Sequence, residues 1–268
     1  MRRSRITTVL CGAGVMLILL ILETSAQPPA GFGKGAPKGA RQGALIDITG
    51  QWVSVVNEDW RWRMVTPPKG DTSSVPVNAA GRRIAGDWDL AADRASGDVC
   101  KAFGAAGLIR QPGRIRIDWE DDNTLRLDFD AGMQTRRFHF DNAPAIGPPS
   151  LQGHTVASWF KQPQSRGIFG RGGPVEGGSL EAVTTNLAPG YLRPNGVPYS
   201  EKTTLKEFLD MFTLPGDGSW LIVTTVINDP EYLTQEFILS TQFKKEVDQS
   251  KWSPRPCEIP DPAEPRVQ

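Results

Sequence analysis

Along most of this chain apolar and polar residues alternate one by one. Arg114-Ile115-Arg116-Ile117-Asp118-Trp119 does so strictly, and after Glu120-Asp121-Asp122-Asn123 the pattern resumes in Leu125-Arg126-Leu127-Asp128-Phe129. Successive side chains of a strand point to opposite faces, so a period of two predicts two half-buried strands joined by an acidic turn. The chain then turns over 130–133 into 134–140, where Phe138 and Phe140 share a face, making a three-strand meander. The same rhythm predicts strands over 155–160, 180–187, 204–212, 220–227 and 237–243; with 51–56 at the front the count is nine. The expected fold is all-β: an antiparallel up-and-down barrel, or a strongly curved meander, of eight to nine strands.

Two stretches interrupt the rhythm. Over 78–96, Ile84, Trp88 and Leu90 to Ala92 recur at helical spacing among Ala, Arg and Asp, which predicts a helical insertion ended by Gly97. The stretch 162–178 is rich in glycine, with Arg166 and Arg171 beside Gly167, Gly170, Gly172 and Gly173. A phosphate loop needs its glycines between a strand and a helix, whereas a strand follows here, so a long hairpin loop is expected.

The ends of the chain differ in kind from its middle. Arg2, Arg3 and Arg5 precede an apolar run from Val9 to Leu22 without a charge, the n-region and h-region of an export signal. Its fourteen residues fall short of the ~20 a helix needs to cross a bilayer. Thr24-Ser25-Ala26 places the cut after Ala26, giving a signal peptide over 1–26, with an uncleaved anchor as the alternative. Residues 27–44 are rich in Gly, Pro and Ala and read as a flexible linker. The domain is expected over 45–252, and five prolines make 253–268 an extended tail. The address is therefore extracytoplasmic, periplasm or secreted, with no stable membrane span once the signal is cleaved.

Export changes the reading of the cysteines. Cys11 precedes most of the apolar run, too early for lipid attachment, and leaves with the signal. Cys100 and Cys257 then read as one disulfide, two unpaired buried thiols being the alternative. A loop of over 150 residues implies about 4 to 5 kcal/mol of chain-entropy stabilisation. Charges are balanced at 30 basic and 30 acidic; removing Arg2, Arg3, Arg5 and Glu23 leaves 27 against 29, a net of −2. That balance attracts neither nucleic acid nor an anionic membrane.

Gly50-Gln51-Trp52 opens the first predicted strand and resembles the Gly-x-Trp signature of lipocalins and the wider calycin barrels. The resemblance implies a barrel with the Trp plugging one end. At the end of the last strand, where the lipocalin pattern has Arg, this chain has Lys244-Lys245. The segments Asp59-Trp60-Arg61-Trp62-Arg63-Met64, Tyr191 to Ser200 (YLRPNGVPYS) and Asp229-Pro230-Glu231-Tyr232-Leu233-Thr234 are similar to those of an uncharacterised family of exported bacterial proteins. That similarity covers roughly 45–257 and implies kinship without a known activity.

Candidate functional residues follow from these segments. Alternation places Trp60 and Trp62 on one face of a strand, where they form an aromatic platform or fill the core. Eight Trp against three Tyr favour an aromatic-lined cavity, and Trp119 and Trp220 join the candidate lining. Pro194-Asn195-Gly196 signals a tight turn, with Tyr191, Arg193 and Tyr199 as polar handles at a barrel mouth. Only His139 and His154 are available for imidazole chemistry, and neither HxxxH nor CxxC spacing accompanies them. Asp118, Glu120, Asp121 and Asp122 lack the spacing of a calcium loop, and no Gly-x-Ser-x-Gly elbow occurs. No catalytic residue, metal or cofactor is expected. The leading expectation is a barrel binding a small apolar or aromatic ligand. An enzyme joining His154, Arg61 and Asp59 in the cavity, and a protein-binding module using 162–178, are the alternatives.

Overall fold

The computed structural model describes residues 39–161 and 177–262. The expected signal peptide, most of the expected linker, nearly all of the glycine-rich loop and the last six residues lie outside that range. In chain order the elements are β1 (Gly50–Val55), α1 (Trp60–Arg63), α2 (Ala79–Asp87), α3 (Leu90–Ser96), a 3-10 helix (Asp98–Phe103) and α4 (Ala105–Leu108). There follow β2 (Arg114–Trp119), β3 (Thr124–Phe129), β4 (Ala131–Gly132), β5 (Gln134–His139), β6 (His154–Phe160), β7 (Ser179–Thr185), β8 (Gly190–Arg193) and β9 (Val197–Tyr199). The chain ends with β10 (Thr204–Leu214), β11 (Gly218–Asn228), β12 (Phe237–Lys245) and β13 (Arg255–Pro256).

Nine of these strands close into a barrel in the order β1-β12-β11-β10-β7-β6-β5-β3-β2. They are the nine that the alternation predicts. The barrel is mixed, not purely antiparallel: β5 and β6 run parallel, pairing Phe138 with Thr155 and His139 with Val156. A closed ring of nine cannot alternate direction throughout, so one parallel contact is unavoidable. It falls where residues 140–153 are long enough to carry the chain back to the starting end, as a parallel connection requires.

The antiparallel registers give the barrel two unlike ends. Residues 56–113, between β1 and β2, and 186–203, between β7 and β10, leave and rejoin at one end, which they cap. The opposite end carries the short turns β2–β3 and β10–β11. There Trp119, Phe140 and Trp159 form an aromatic cluster, their ring centroids 5.5 to 6.5 Å apart. The indole of Trp159 donates to the Ala40 carbonyl at 2.9 Å, and Ala40 N donates to Asn123. Residues 39–44, expected within the flexible linker, are thus docked on this end.

The cap departs from the sequence expectation in three places. Residues 60–63 are helical, not a strand: the pairing of β1 ends at Val55, and Trp62 N, Arg63 N and Met64 N bond back to Asp59 and Trp60 carbonyls. The helix expected over 78–96 is two helices. Asp89 breaks it by accepting from Ala91 N and Ala92 N, the N-cap of a new helix. Gly97 ends α3 in the left-handed conformation, as expected. The 3-10 helix and α4, with small apolar residues and no periodic signal, were not anticipated.

The tail is tied down as expected. Cys100 and Cys257 are bonded, their Cα atoms 5.2 Å apart across 157 residues of sequence. Arg255 and Pro256 pair with Ala131 and Gly132, and Thr66 donates to the Pro260 carbonyl at 2.8 Å.

Candidate functional site

Inside the barrel, alternation sends aliphatic and aromatic side chains inward in two separate clusters. One contains Trp52, Ile117, Leu127, Leu209, Val223 and Phe243, which reach toward the open end, and is continuous with Trp88, Leu90 and Phe103 of the cap; the other contains Leu205, Ile227, Leu239 and Tyr199. Between them runs a polar belt. Six consecutive strands, β5, β6, β7, β10, β11 and β12, each contribute one inward polar residue: Arg136, Thr155, Thr184, Glu207, Thr225 and Thr241, none more than 2 % exposed. On β10, for instance, Glu207 separates Leu209 of one cluster from Leu205 of the other.

Arg136 and Glu207 are the charged members. The guanidinium grips the carboxylate through both ends, Nη1 to Oε1 at 2.9 Å and Nη2 to Oε2 at 2.6 Å. Nη2 also reaches Thr184 Oγ1 at 3.1 Å, which contacts Thr155 Oγ1 at 2.8 Å. Arg136 Nε and the hydroxyls of Thr225 and Thr241 have no protein partner. Desolvating two charges costs several kcal/mol each, so such a pair is weak evidence of stabilisation.

The second candidate is a groove of about 590 Å³ at the rim of the capped end. Helix α1 and the bend after it supply Arg63, Met64, Val65 and Thr66; Phe103, Gln111 and Pro112 come from the segment before β2. The tail supplies the facing wall through Ser253, Arg255, Pro256, Glu258 and Pro260. This volume falls within the range of small-molecule pockets, and the lining mixes polar and apolar residues. Met64 and Val65, 57 % and 49 % exposed, leave apolar surface uncovered there. Asp130 lines the groove too, and burial raises its carboxyl above the usual range despite the bond from Arg114 N at 2.7 Å.

The residues singled out from the sequence do not form one lining. Trp60 is 58 % exposed on α1. Trp62 is half-buried, with the guanidiniums of Arg61 and Arg193 at 4.6 and 4.9 Å from its ring. Trp119 belongs to the open-end cluster. Trp220 lies on the outside of the barrel, since its neighbour Leu221 points in; its indole donates to Asp217 at 2.8 Å. The expected shared wall of Trp60, Trp62, Trp119 and Trp220 is therefore corrected. A four-residue turn and strand parity separate them.

The hairpin β8–β9 is the tight turn that Pro194-Asn195-Gly196 predicts. Gly196 has φ +77°, and a Cβ there would meet the Trp88 ring at 2.1 Å, so both conformation and space require glycine. Tyr191 Oη donates to Asp93 Oδ1 at 3.1 Å, and Asp93 also accepts from the Trp88 indole at 2.8 Å. Tyr199 is buried with its hydroxyl unpartnered, against the bare backbones of Gly104 and Gly190. Burial raises the pKa of both tyrosines above the ordinary phenol range. Arg193 is 2 % exposed; burial and then Arg110 lower its pKa to about 10.

The three segments 59–64, 191–200 and 229–234 meet in this cap. Arg193 packs on Trp62, joining the second to the first. Ser200 N and Oγ donate to Asp229 at 2.7 and 2.9 Å, joining the second to the third. At β1, Trp52 is fully buried, donates to the Ile48 carbonyl at 2.9 Å, and has the Lys245 ammonium 5.3 Å from its ring. His154 stacks on His139 at 5.1 Å and contacts the Ala143 carbonyl, while Asp59 pairs with Arg110, so the enzyme constellation His154, Arg61 and Asp59 is not assembled. Among the described residues no cluster of His, Cys, Asp and Glu could hold a metal, and no helix is long and apolar enough to cross a membrane.

No protein-family model, curated protein or solved structure matches this chain. Fold and site by themselves define the class: a closed, mixed nine-stranded barrel with one capped end and a groove built between cap and tail.

Proposed function

We propose that this protein is an extracytoplasmic, non-enzymatic binding barrel that holds a small molecule in the rim groove. The groove, about 590 Å³ and bounded by α1 on one side and the disulfide-tied tail on the other, carries this reading. It relocates the ligand from the barrel interior, which aliphatic side chains and the polar belt occupy, to the rim. The apolar part of the ligand rests on Met64, Val65, Phe103 and Pro112. The charged start of the chain and the Cys100–Cys257 bond support an oxidising compartment.

Native mass spectrometry of the full chain, expressed with its signal and purified without detergent, tests the reading. A copurifying small molecule is expected, absent from Val65→Trp, where the indole fills the groove. An adduct retained by that variant, or none in either protein, overturns it.

A further inference from the structure

Behind the groove wall lies a knot of buried arginines. Arg63 itself lines the groove, Gln111 follows Arg110 in sequence, and Pro194 follows Arg193, so the wall is formed at or beside all three. Each is at least nine-tenths buried. Arg63 bonds the Arg110 carbonyl through Nε at 3.0 Å and Glu58 through Nη1 at 2.8 Å. Arg110 Nη2 meets Asp59 at 2.9 Å, and Arg193 Nη1 the Ser73 carbonyl at 2.6 Å.

Those contacts leave donors over. Arg63 Nη2, Arg110 Nη1, and Arg193 Nε and Nη2 have no partner. Buried guanidinium donors are ordinarily satisfied, because leaving one unmet forfeits its hydration without return. The charge is also unbalanced: Arg61, Arg63, Arg110 and Arg193 face Glu58, Asp59 and Asp71. The arginines repel one another, and burial followed by Arg110 lowers the pKa of Arg63. In the groove lining, Arg63, Arg114 and Arg255 stand against Asp130 and Glu258, with Arg114 answered by Glu246 at 2.8 Å.

We infer that the groove takes an amphipathic anion, its carboxylate, phosphate or sulfonate group drawn to the wall at Arg63, with Arg110 and Arg193 behind it. The inference rests on the groove reading proposed above. Arg63 Nε and Nη1 are already committed, which leaves Nη2 to donate to such a group, and the two rear arginines add to the positive charge there. Arg63 is the one of the three that lines the groove, so its guanidinium is the one an occupant meets first, by a side-chain shift that uncovers the buried Nη2.

Two probes of one scaffold test it: N-phenyl-1-naphthylamine, which is neutral, and its 8-sulfonate, titrated by fluorescence into the oxidised protein. Both are expected to bind and to be lost in Val65→Trp, with the sulfonate at least tenfold tighter. Sulfate should displace the sulfonate and not the neutral probe, an arm that needs no variant. Arg63→Met should bring the sulfonate down to the neutral probe's affinity and leave the latter within twofold. Equal affinities in the native protein, with both lost in Val65→Trp, would keep the groove and discard the anion. Sulfonate binding that persists in Val65→Trp places the charge site elsewhere and overturns the inference; binding of neither probe removes the groove reading along with it.

Discussion

The Arg136–Glu207 pair offers the sharpest test of what holds the barrel together. Both side chains are 1 % exposed and bonded through two N–H···O contacts. Arg136→Met leaves Glu207 buried with no cation, and Glu207→Leu leaves Arg136 buried with no anion. Removing one partner of such a pair costs about 3 to 5 kcal/mol, because the other has surrendered its water without compensation. At ~2 to 4 °C per kcal/mol for a domain of this size, each single variant should lower the midpoint of thermal unfolding by roughly 6 to 20 °C. The double variant Arg136→Met/Glu207→Leu removes both desolvation penalties and continues the aliphatic clusters through the belt. It should return to within about 1 kcal/mol of the native protein, or exceed it. Denaturant titration of all four proteins under non-reducing conditions, combined as a double-mutant cycle, gives the coupling directly. Additive losses, with the double variant the least stable, would refute the argument that each charge is tolerated only because of the other.

Four further outcomes are expected. Cys100→Ser/Cys257→Ser should lose about 5 kcal/mol by chain entropy, while denatured native protein should show no free thiol at these positions without reductant; two reactive thiols would contradict the bond. Gly196→Ala should destabilise by more than 1 kcal/mol and red-shift Trp88 emission, since the left-handed turn and the Trp88 contact both exclude a methyl group. Trp52→Ala should cost about 3 to 5 kcal/mol and Trp60→Ala less than about 0.5, a contrast that chemical unfolding resolves. Asp130, whose folded-state pKa is raised by burial, contributes stability that is present below its unfolded value of 3.8 and lost as pH rises through the folded value. The stability of Asp130→Asn relative to the native protein should therefore increase with pH across that interval, and a pH-independent difference would be the contrary result.

The same contrasts show how far a linear reading reaches. Residues 114–129 could be read as a hairpin because alternation is local: side-chain direction repeats every two residues whatever the strand pairs with. The four residues Trp60 to Arg63 alternate as well, and misled for the same reason, since alternation over one turn does not distinguish a strand from a helix. What decided the matter was the end of the β1 pairing at Val55, after which the backbone bonds locally, Trp62 N and Arg63 N to the Asp59 carbonyl. The groove left little trace in the sequence. Its walls come from residues about 190 positions apart, such as Thr66 and Pro260, which only the folded tail brings together. The polar belt had a visible signal: Thr184, Glu207, Thr225 and Thr241 occupy inward positions in otherwise apolar strands. Parity assigns each to the interior, but nothing local says that they lie at one level.

The sequence alone determined the nine strands, the tight Pro194-Asn195-Gly196 turn and the cysteine pairing. Each rests on short-range geometry or on a two-member choice. Tertiary structure alone decided the parallel β5–β6 contact, the split of the helical insertion into α2 and α3, the scattering of the candidate tryptophans, and the meeting of Arg63, Arg110 and Arg193 behind the groove. These depend on closure of the ring and on which buried groups find partners, quantities set by residues distant in the chain.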